Sequence, residues 1–360
     1  GYGTPLFYGN LAAAFPAALF ALGLPLLACW KINAVLVTLL AALSCFACAR
    51  AMLKDDFAAF LMSVVFVFSG YFAADVLFRA TLGEMTSFIF IPAAFLGLHG
   101  ILRGPKKVWP LLPAALSLIL YCHLISALIT AFGLLLYALS NAGEFFHRPK
   151  KLLLVAASAG LFLLLSAFSI LPMLEQLSSA SFLATDGSSA STFGTLLERA
   201  MPWWSLASDV NIPVNVLIGD SSGSWIPNGL GLAFPLMLFA AVFFGKRAKP
   251  RQTLPALVLC TLTLLVCSKL FPWQIGFLQS ALGVIQFPWR FLLLAVFFLA
   301  LYAGEFAAAT KTADMGNGIF GNLESSAAQL DSKKKPRAAR TVCTLFIIFS
   351  LFSFVMTAAP

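Results

Sequence analysis

The stretch Tyr71-Phe72-Ala73-Ala74-Asp75-Val76-Leu77-Phe78-Arg79-Ala80-Thr81-Leu82-Gly83-Glu84 brings a phenol, two carboxylates and a guanidinium close together in the chain. On a helix, Tyr71, Asp75 and Arg79 fall at i, i+4 and i+8 and share one face. Gly83 reads as a hinge, and Glu84 beyond it is expected at the same aqueous boundary. Asp75 or Glu84 can take a proton from a hydroxyl, and Arg79 can hold a phosphate. A plainer reading is an Asp75–Arg79 helix pair that fixes a loop, worth about 0.3–0.5 kcal/mol if exposed. Two other positions offer related chemistry. The imidazole of His123 can bind a phosphate, shuttle a proton or ligate a metal, or it can act as a structural hydrogen-bond partner. In Gln286-Phe287-Pro288-Trp289-Arg290, Pro288 suits a helix start and Arg290 sits among aromatics. Its guanidinium can fork onto a lipid phosphate or pyrophosphate, or snorkel outward as an interfacial anchor.

The elements that must position these groups are apolar. Hydrophobic residues make up 61% of the 360 and charged residues 10%, with a mean hydropathy of +0.94. A soluble domain carries about 25% charged residues, so the composition fits an all-α polytopic membrane protein whose lipid-facing surface needs no charge. It argues against disorder, a coiled coil or a secreted disulfide scaffold. Ten segments approach the length of a span: 33–49, 57–74, 85–102, 108–122, 124–140, 152–172, 229–245, 254–270, 288–306 and 341–358. The run 11–29 holds Pro16 and Pro25 and reads either as a further span or as a broken interfacial helix. Spans 108–122 and 124–140 meet at His123 with almost no loop.

Basic residues set the orientation. One side receives Arg50, Lys54, Arg103, Lys106, Lys107, Arg148, Lys150, Lys151, Lys246, Arg247, Lys249, Arg251, Lys311, Lys333, Lys334, Lys335, Arg337 and Arg340. The other receives Arg79, Arg199, Lys269 and Arg290, with Lys31 apart, and also Asp75, Glu84, Glu175, Asp186, Glu198, Asp209 and Asp220. The first side is expected to be cytoplasmic and the second extracytoplasmic. Most of the net charge of +9 is therefore a topology signal and not a nucleic-acid footprint. The run Lys333–Arg340 also favours anionic lipid headgroups. Segment 173–228, with Trp203, Trp204, Trp225 and no Lys, reads as a small outer cap. Segment 307–340 reads as a flexible, basic inner loop, with a final span in 341–360.

All seven cysteines lie in apolar runs, and Cys45-x-x-Cys48 within a span reads as small-residue packing. The chain shows no P-loop, no dinucleotide-binding glycine motif and no HExxH. Neither a cofactor nor a metal is indicated. The chain opens on Gly1 and stops after an apolar run at Pro360, and it is expected to be a fragment.

The opening Gly1-Tyr2-Gly3-Thr4-Pro5-Leu6-Phe7-Tyr8, the Tyr71…Arg79…Glu84 block followed by Ile91-Pro92, the His123 junction, Leu171-Pro172 and Gln286–Arg290 occur in this order. Together they resemble the bacterial multi-spanning proteins labelled 6-pyruvoyl-tetrahydropterin synthase-related, and the related YfhO-like proteins. Both are similar to the GT-C glycosyltransferase superfamily. The likeness covers most of residues 1–306 and implies a GT-C-like transmembrane region there. It implies transfer of a sugar from a polyprenyl-phosphate donor on the outer face. It also implies that the carboxylate such enzymes carry in their first outer loop lies before Gly1. Segment 11–29 would then be an interfacial helix and 33–49 the second span.

The expected function is therefore a membrane glycosyltransferase of the plasma membrane. Asp75 and Glu84 are its candidate catalytic carboxylates, and Arg79, His123 and Arg290 its candidate phosphate ligands. Its expected partners are a lipid-linked sugar donor and membrane lipids. A transporter or flippase, or a non-catalytic assembly factor for surface polymers, is the alternative. Against a carrier, the sequence has no inverted repeat and no mid-span acid.

Overall fold

The computed structural model describes residues 9–179, 193–207, 229–244, 250–320 and 326–358. Among them the structure is helical, apart from one isolated bridge between Met201 and Ser268. A chain this apolar can satisfy its backbone donors and acceptors only within itself, and helices do that segment by segment.

Helix α1 (Leu11–Ala21) stops at a break containing Gly23, at φ +91°, and Pro25. The next helix, α2 (Leu26–Leu53), runs for 28 residues. The run 11–29 is thus broken, and its last four residues, 26–29, belong to α2. Helices α3 (Asp56–Val67) and α4 (Gly70–Leu77) meet at a 48° bend. Ser69 makes this break by capping α4, its hydroxyl accepting from the Phe72 N–H. Short α5 (Leu82–Ser87) leads into α6 (Ile91–Leu102). Helices α7 (Leu111–Cys122) and α8 (Leu124–Ser140) are hinged at His123. There follow α9 (Gly143–His147), α10 (Lys150–Ser179), α11 (Phe193–Arg199), α12 (Ala233–Phe244), α13 (Pro250–Cys267), α14 (Gly276–Leu282), α15 (Leu292–Phe320) and α16 (Ser326–Ala358). Helices α15 and α16 thus reach into segment 307–340 from either side.

The centre of the bundle is α15, with α3 and α13 against it and α2 behind α3. Phe291 to Ala303 are buried without interruption. In lipid, helices associate by van der Waals packing and not by escape from water, so aromatic interdigitation and small residues carry the contact. Phe297 stacks on Phe95 at 4.0 Å between centroids and meets Phe66 edge-on. Gly304 lets α15 approach α3, where an added Cβ would lie 3.1 Å from Met62 Cβ and 3.2 Å from the Ala58 carbonyl. Helix α10 is the opposite case. Only 11% of its most apolar window is buried, against 89% for the central span, so the described residues leave most of its apolar side uncovered.

Among the described residues four helical stretches are long and apolar enough to cross a membrane: Leu26–Leu53, Leu82–Leu102, Lys150–Ser179 and Pro288–Lys311. The bent pair α3–α4 makes a fifth if it counts as one span. The reading of about ten spans goes beyond this number. The difference lies in shorter apolar helices such as Leu124–Ser140, which begins at the His123 turn, and Ala233–Phe244. Of the expected outer cap, 180–192 and 208–228 lie outside the described residues, as does Gly1–Tyr8.

Candidate functional site

The ends of α4 and α5, the α7–α8 turn and the entry to α15 converge. Arg79 stands just past the last turn of α4, where its N–H bonds back to the Ala74 carbonyl. Ala80 then turns the chain with φ 49°, a left-handed conformation that few residues with a Cβ adopt. Because of this turn α5 folds back beside α4, and Glu84 comes to face Arg79. One guanidinium nitrogen of Arg79 pairs with Asp75 Oδ1, and the other donates to Glu84 Oε2 at 2.7 Å. The Tyr71 hydroxyl donates to Glu84 Oε1.

The expectation of an aqueous boundary is corrected here. Asp75 is 0% and Glu84 2% exposed, and the Arg79 side chain only 11%. The Asp75–Arg79 pair is therefore not a surface pair, and the small value expected for an exposed one does not apply. Gly83 is corrected too. It lies within α5 and its role is close approach: an added Cβ would stand 2.5 Å from the Cys122 carbonyl and 3.2 Å from His123 Cβ. The glycine thereby holds Glu84 against the α7–α8 turn.

His123 caps α8. Its Nδ1 accepts from the Ser126 N–H at 3.3 Å and lies 2.8 Å from the Ser126 hydroxyl. An accepting Nδ1 places the ring proton on Nε2, and the cap requires the neutral ring. Burial pushes the imidazole down to about 4; the nearby Glu84 opposes this, while Arg290 and Arg79 reinforce it. The charged groups of three separate segments thus act on one histidine.

The entry to α15 supplies the aromatic wall. Gln286 takes φ 64°, the second left-handed residue of the site, and it aims the Phe287–Arg290 segment inward. The Trp289 ring lies 4.1 Å from the Arg79 guanidinium carbon and 5.7 Å from that of Arg290. Phe287 lies beneath both Arg290, at 5.0 Å, and Arg199, at 4.6 Å. Such stacking neutralises part of the desolvation cost of each guanidinium. Burial works against charge on Arg79, yet Tyr71, Asp75 and Glu84 outweigh it and hold the group more strongly protonated than an ordinary arginine.

Three buried polar atoms of the cluster are left over. Asp75 Oδ2 accepts no hydrogen bond, and the Thr81 hydroxyl lies beside it without a bond of sound geometry. Arg290 donates through one terminal nitrogen to the Ile285 carbonyl at 3.3 Å, while its Nε–H has no acceptor. A buried polar atom without a partner is uncommon and costs free energy, so such atoms point to a ligand or a proton. Glu84, by contrast, has both oxygens engaged.

All five residues predicted from the sequence, Asp75, Arg79, Glu84, His123 and Arg290, gather in this one cluster. Arg199 was missed. It donates to the Gln286 carbonyl at 3.2 Å from α11. Two backbone bonds between Met201 and the end of α13 hold it there, and no local motif announces them. The role of Trp289 as a plate between two arginines was likewise not visible, since it joins positions far apart in the chain. No three histidine, cysteine or acidic side chains come together to hold a metal among the described residues. Cys45 and Cys48 are buried in α2 as free thiols.

No curated protein and no solved structure matches this chain. A family model described as bacterial membrane protein YfhO matches residues 4–359, which includes every segment of the cluster. The chain therefore belongs to the YfhO family of bacterial membrane proteins.

Proposed function

We propose that this protein is a multi-pass plasma-membrane glycosyltransferase of the GT-C kind. On this reading it takes a sugar from a polyprenyl-phosphate-linked donor at the outer face. The shorter apolar helices complete a bundle of about ten spans, and the chemistry lies at the end where Arg79 and Arg290 sit.

The observation that carries the reading is the pair of unsatisfied atoms. Asp75 Oδ2 has only the Thr81 hydroxyl beside it and Arg290 Nε–H has no acceptor, and Arg290 is close enough to act on the carboxylate electrostatically. A sugar acceptor hydroxyl that reaches Oδ2 would lose its proton there as it attacks the anomeric carbon. The leaving phosphate of the donor would gain negative charge in the same step. Arg290, together with Arg79, would stabilise that charge. Tyr71 and Glu84 would position Arg79, because their bonds fix the guanidinium plane.

The test is transfer from a polyprenyl-phosphate sugar by the full chain in liposomes, with folded yield measured alongside. Asp75→Asn keeps the side-chain shape and leaves Arg79 paired with Glu84. Transfer should fall about 10²–10⁴-fold, the usual value of a positioned acid or base, while folded yield is largely kept. Loss of transfer only in step with folded yield would make Asp75 a structural residue and remove the reading.

A further inference from the structure

The end of the bundle opposite the Arg79 cluster carries a second feature that the proposed activity does not use. A shallow surface cavity of about 440 Å³, open to its surroundings and lined almost wholly by apolar atoms, lies between the short 3-10 turn Lys106–Val108 and the start of α10. Lys106, Lys107, Trp109, Lys150, Leu153 and Leu154 line it.

The charges around it are sorted. Lys151, next in the chain, is buried, donates to the Leu102 carbonyl and pairs with Glu144 at 2.6 Å. Arg103 lies 3.8 Å from the same carboxylate. Glu144 thus serves its neighbours, and the exchange holds its carboxyl below the usual range, first through the Lys151 hydrogen bond. The three lysines of the cavity have no ion pair among the described residues and no acid in the lining. Two different elements bring three lysines to the edge of one groove, none of them ion-paired among the described residues, and their ammonium groups favour an anion there.

The floor favours something else. Leu153 is 69% exposed and lies on α10, whose apolar side the described residues leave mostly uncovered. Leu154 continues that wall, and Trp109 stands at its rim, a residue that prefers the membrane–water interface. A soluble phosphate would use the lysines and leave the leucines idle. A neutral lipid would do the reverse. One occupant uses both: an amphiphile with an anionic head and an acyl tail.

We propose that this cavity binds an anionic phospholipid of the adjacent leaflet. Its phosphate lies among Lys106, Lys107 and Lys150, and an acyl chain lies along Leu153 and Leu154. The site lies in the membrane surface at the basic end of the bundle, where Arg103, Lys151 and the α10 N-terminus also lie. Lipid bound there would clamp the 103–109 turn to α10, two elements otherwise joined at this level through Glu144 and Lys151.

The purified full chain in mild detergent provides the test, by native mass spectrometry with phosphatidylglycerol and phosphatidylcholine of identical acyl chains. Phosphatidylglycerol should be retained and phosphatidylcholine should not. Each basic residue near an anionic headgroup strengthens binding roughly fivefold, so K106Q/K107Q/K150Q should weaken retention about 100-fold and Lys150→Gln alone about fivefold. The three side chains are exposed and not ion-paired among the described residues, so unfolding temperature in lipid-free detergent should match that of the unaltered protein. As a control away from this end of the bundle, K31Q/K269Q, two exposed lysines, should change retention less than twofold. Equal retention of the two lipids, as large a loss in the control as in the triple variant, or displacement of the lipid by inorganic phosphate at the same concentration would each overturn the proposal.

Discussion

The two ends of the bundle both hold ion pairs, and the Arg79 cluster and the Arg50–Asp56 pair behave in opposite ways. Around Arg79 the charges are buried, paired with one another and walled by Trp289 and Phe287. At the other end Arg50 meets Asp56 at 2.7 Å with side chains 62% and 70% exposed, and Lys311 reaches Asp55 at 2.5 Å from solvent. In water a charge costs little and can be replaced. Away from water each charge depends on the others, because the desolvation cost is met only while every partner stays in place. An ion pair is therefore informative about function mainly where solvent cannot support it.

The largest effect should follow from removing the cation that two buried carboxylates share. Arg79→Met leaves Asp75 and Glu84 facing each other without a counter-charge, which for a buried pair costs about 3–5 kcal/mol. Arg79→Lys should restore only part of this, since one ammonium cannot fork between Asp75 Oδ1 and Glu84 Oε2. Thermal unfolding in detergent reads both. An unchanged midpoint for Arg79→Met would show that the two ends do not differ in kind.

The next effect is a pH dependence carried by His123. Its folded value is about 4 and an unfolded histidine titrates near 6.5. Between those values the unfolded chain binds the proton and the folded one does not, so stability is full above about pH 6.5 and is lost as pH falls toward 4. The loss should be about 1–3 kcal/mol. His123→Asn keeps a side-chain oxygen to cap α8 and removes the titration, so the slope over that interval should flatten. The same slope in this variant would assign the dependence to another group.

Gly83→Ala sharpens the contrast from the packing side. The added methyl meets the Cys122 carbonyl, which cannot rotate away, and overpacking of this kind costs about 1–3 kcal/mol. It should also displace Glu84 and lower transfer in proteoliposomes beyond what the loss of folded protein explains. Gly143, with open space around it, is the control, and alanine there should leave transfer unchanged.

Much of the buried cluster was legible in the sequence because its members are local. Tyr71, Asp75 and Arg79 repeat at helical spacing, and Glu84 follows within one turn of chain reversal. What was not legible is the left-handed Ala80 that makes the reversal, and hence the burial of Glu84. Residue types alone suggested an aqueous boundary because charges near a span end normally face water. Arg199 and Trp289 were invisible as partners for a different reason. Their contacts depend on how α11 and the entry to α15 dock on the bundle, and only tertiary packing sets that. Span counting suffered from a third cause. Apolar length predicts that a segment prefers lipid, but not where His123, Ser69 or Pro25 will break it.

The smallest effect belongs to the exposed end, and it completes the comparison. Arg50 lies in the last turn of α2 and Asp56 in the first turn of α3, so each already has a favourable helix-end interaction without the other. Their direct coupling should then be only about 0.2–1 kcal/mol, and salt should screen it. A double-mutant cycle of Arg50→Gln and Asp56→Asn, read by unfolding at low and high ionic strength, measures that coupling directly. The matching cycle of Arg79→Met with Glu84→Gln should give several-fold more and hardly respond to salt, because no ions reach a pair 2% exposed on one side. Equal couplings, or equal salt dependence, would mean that burial does not set the difference between the ends. The shared fork of Arg79 would then be a fold contact like the one at Arg50.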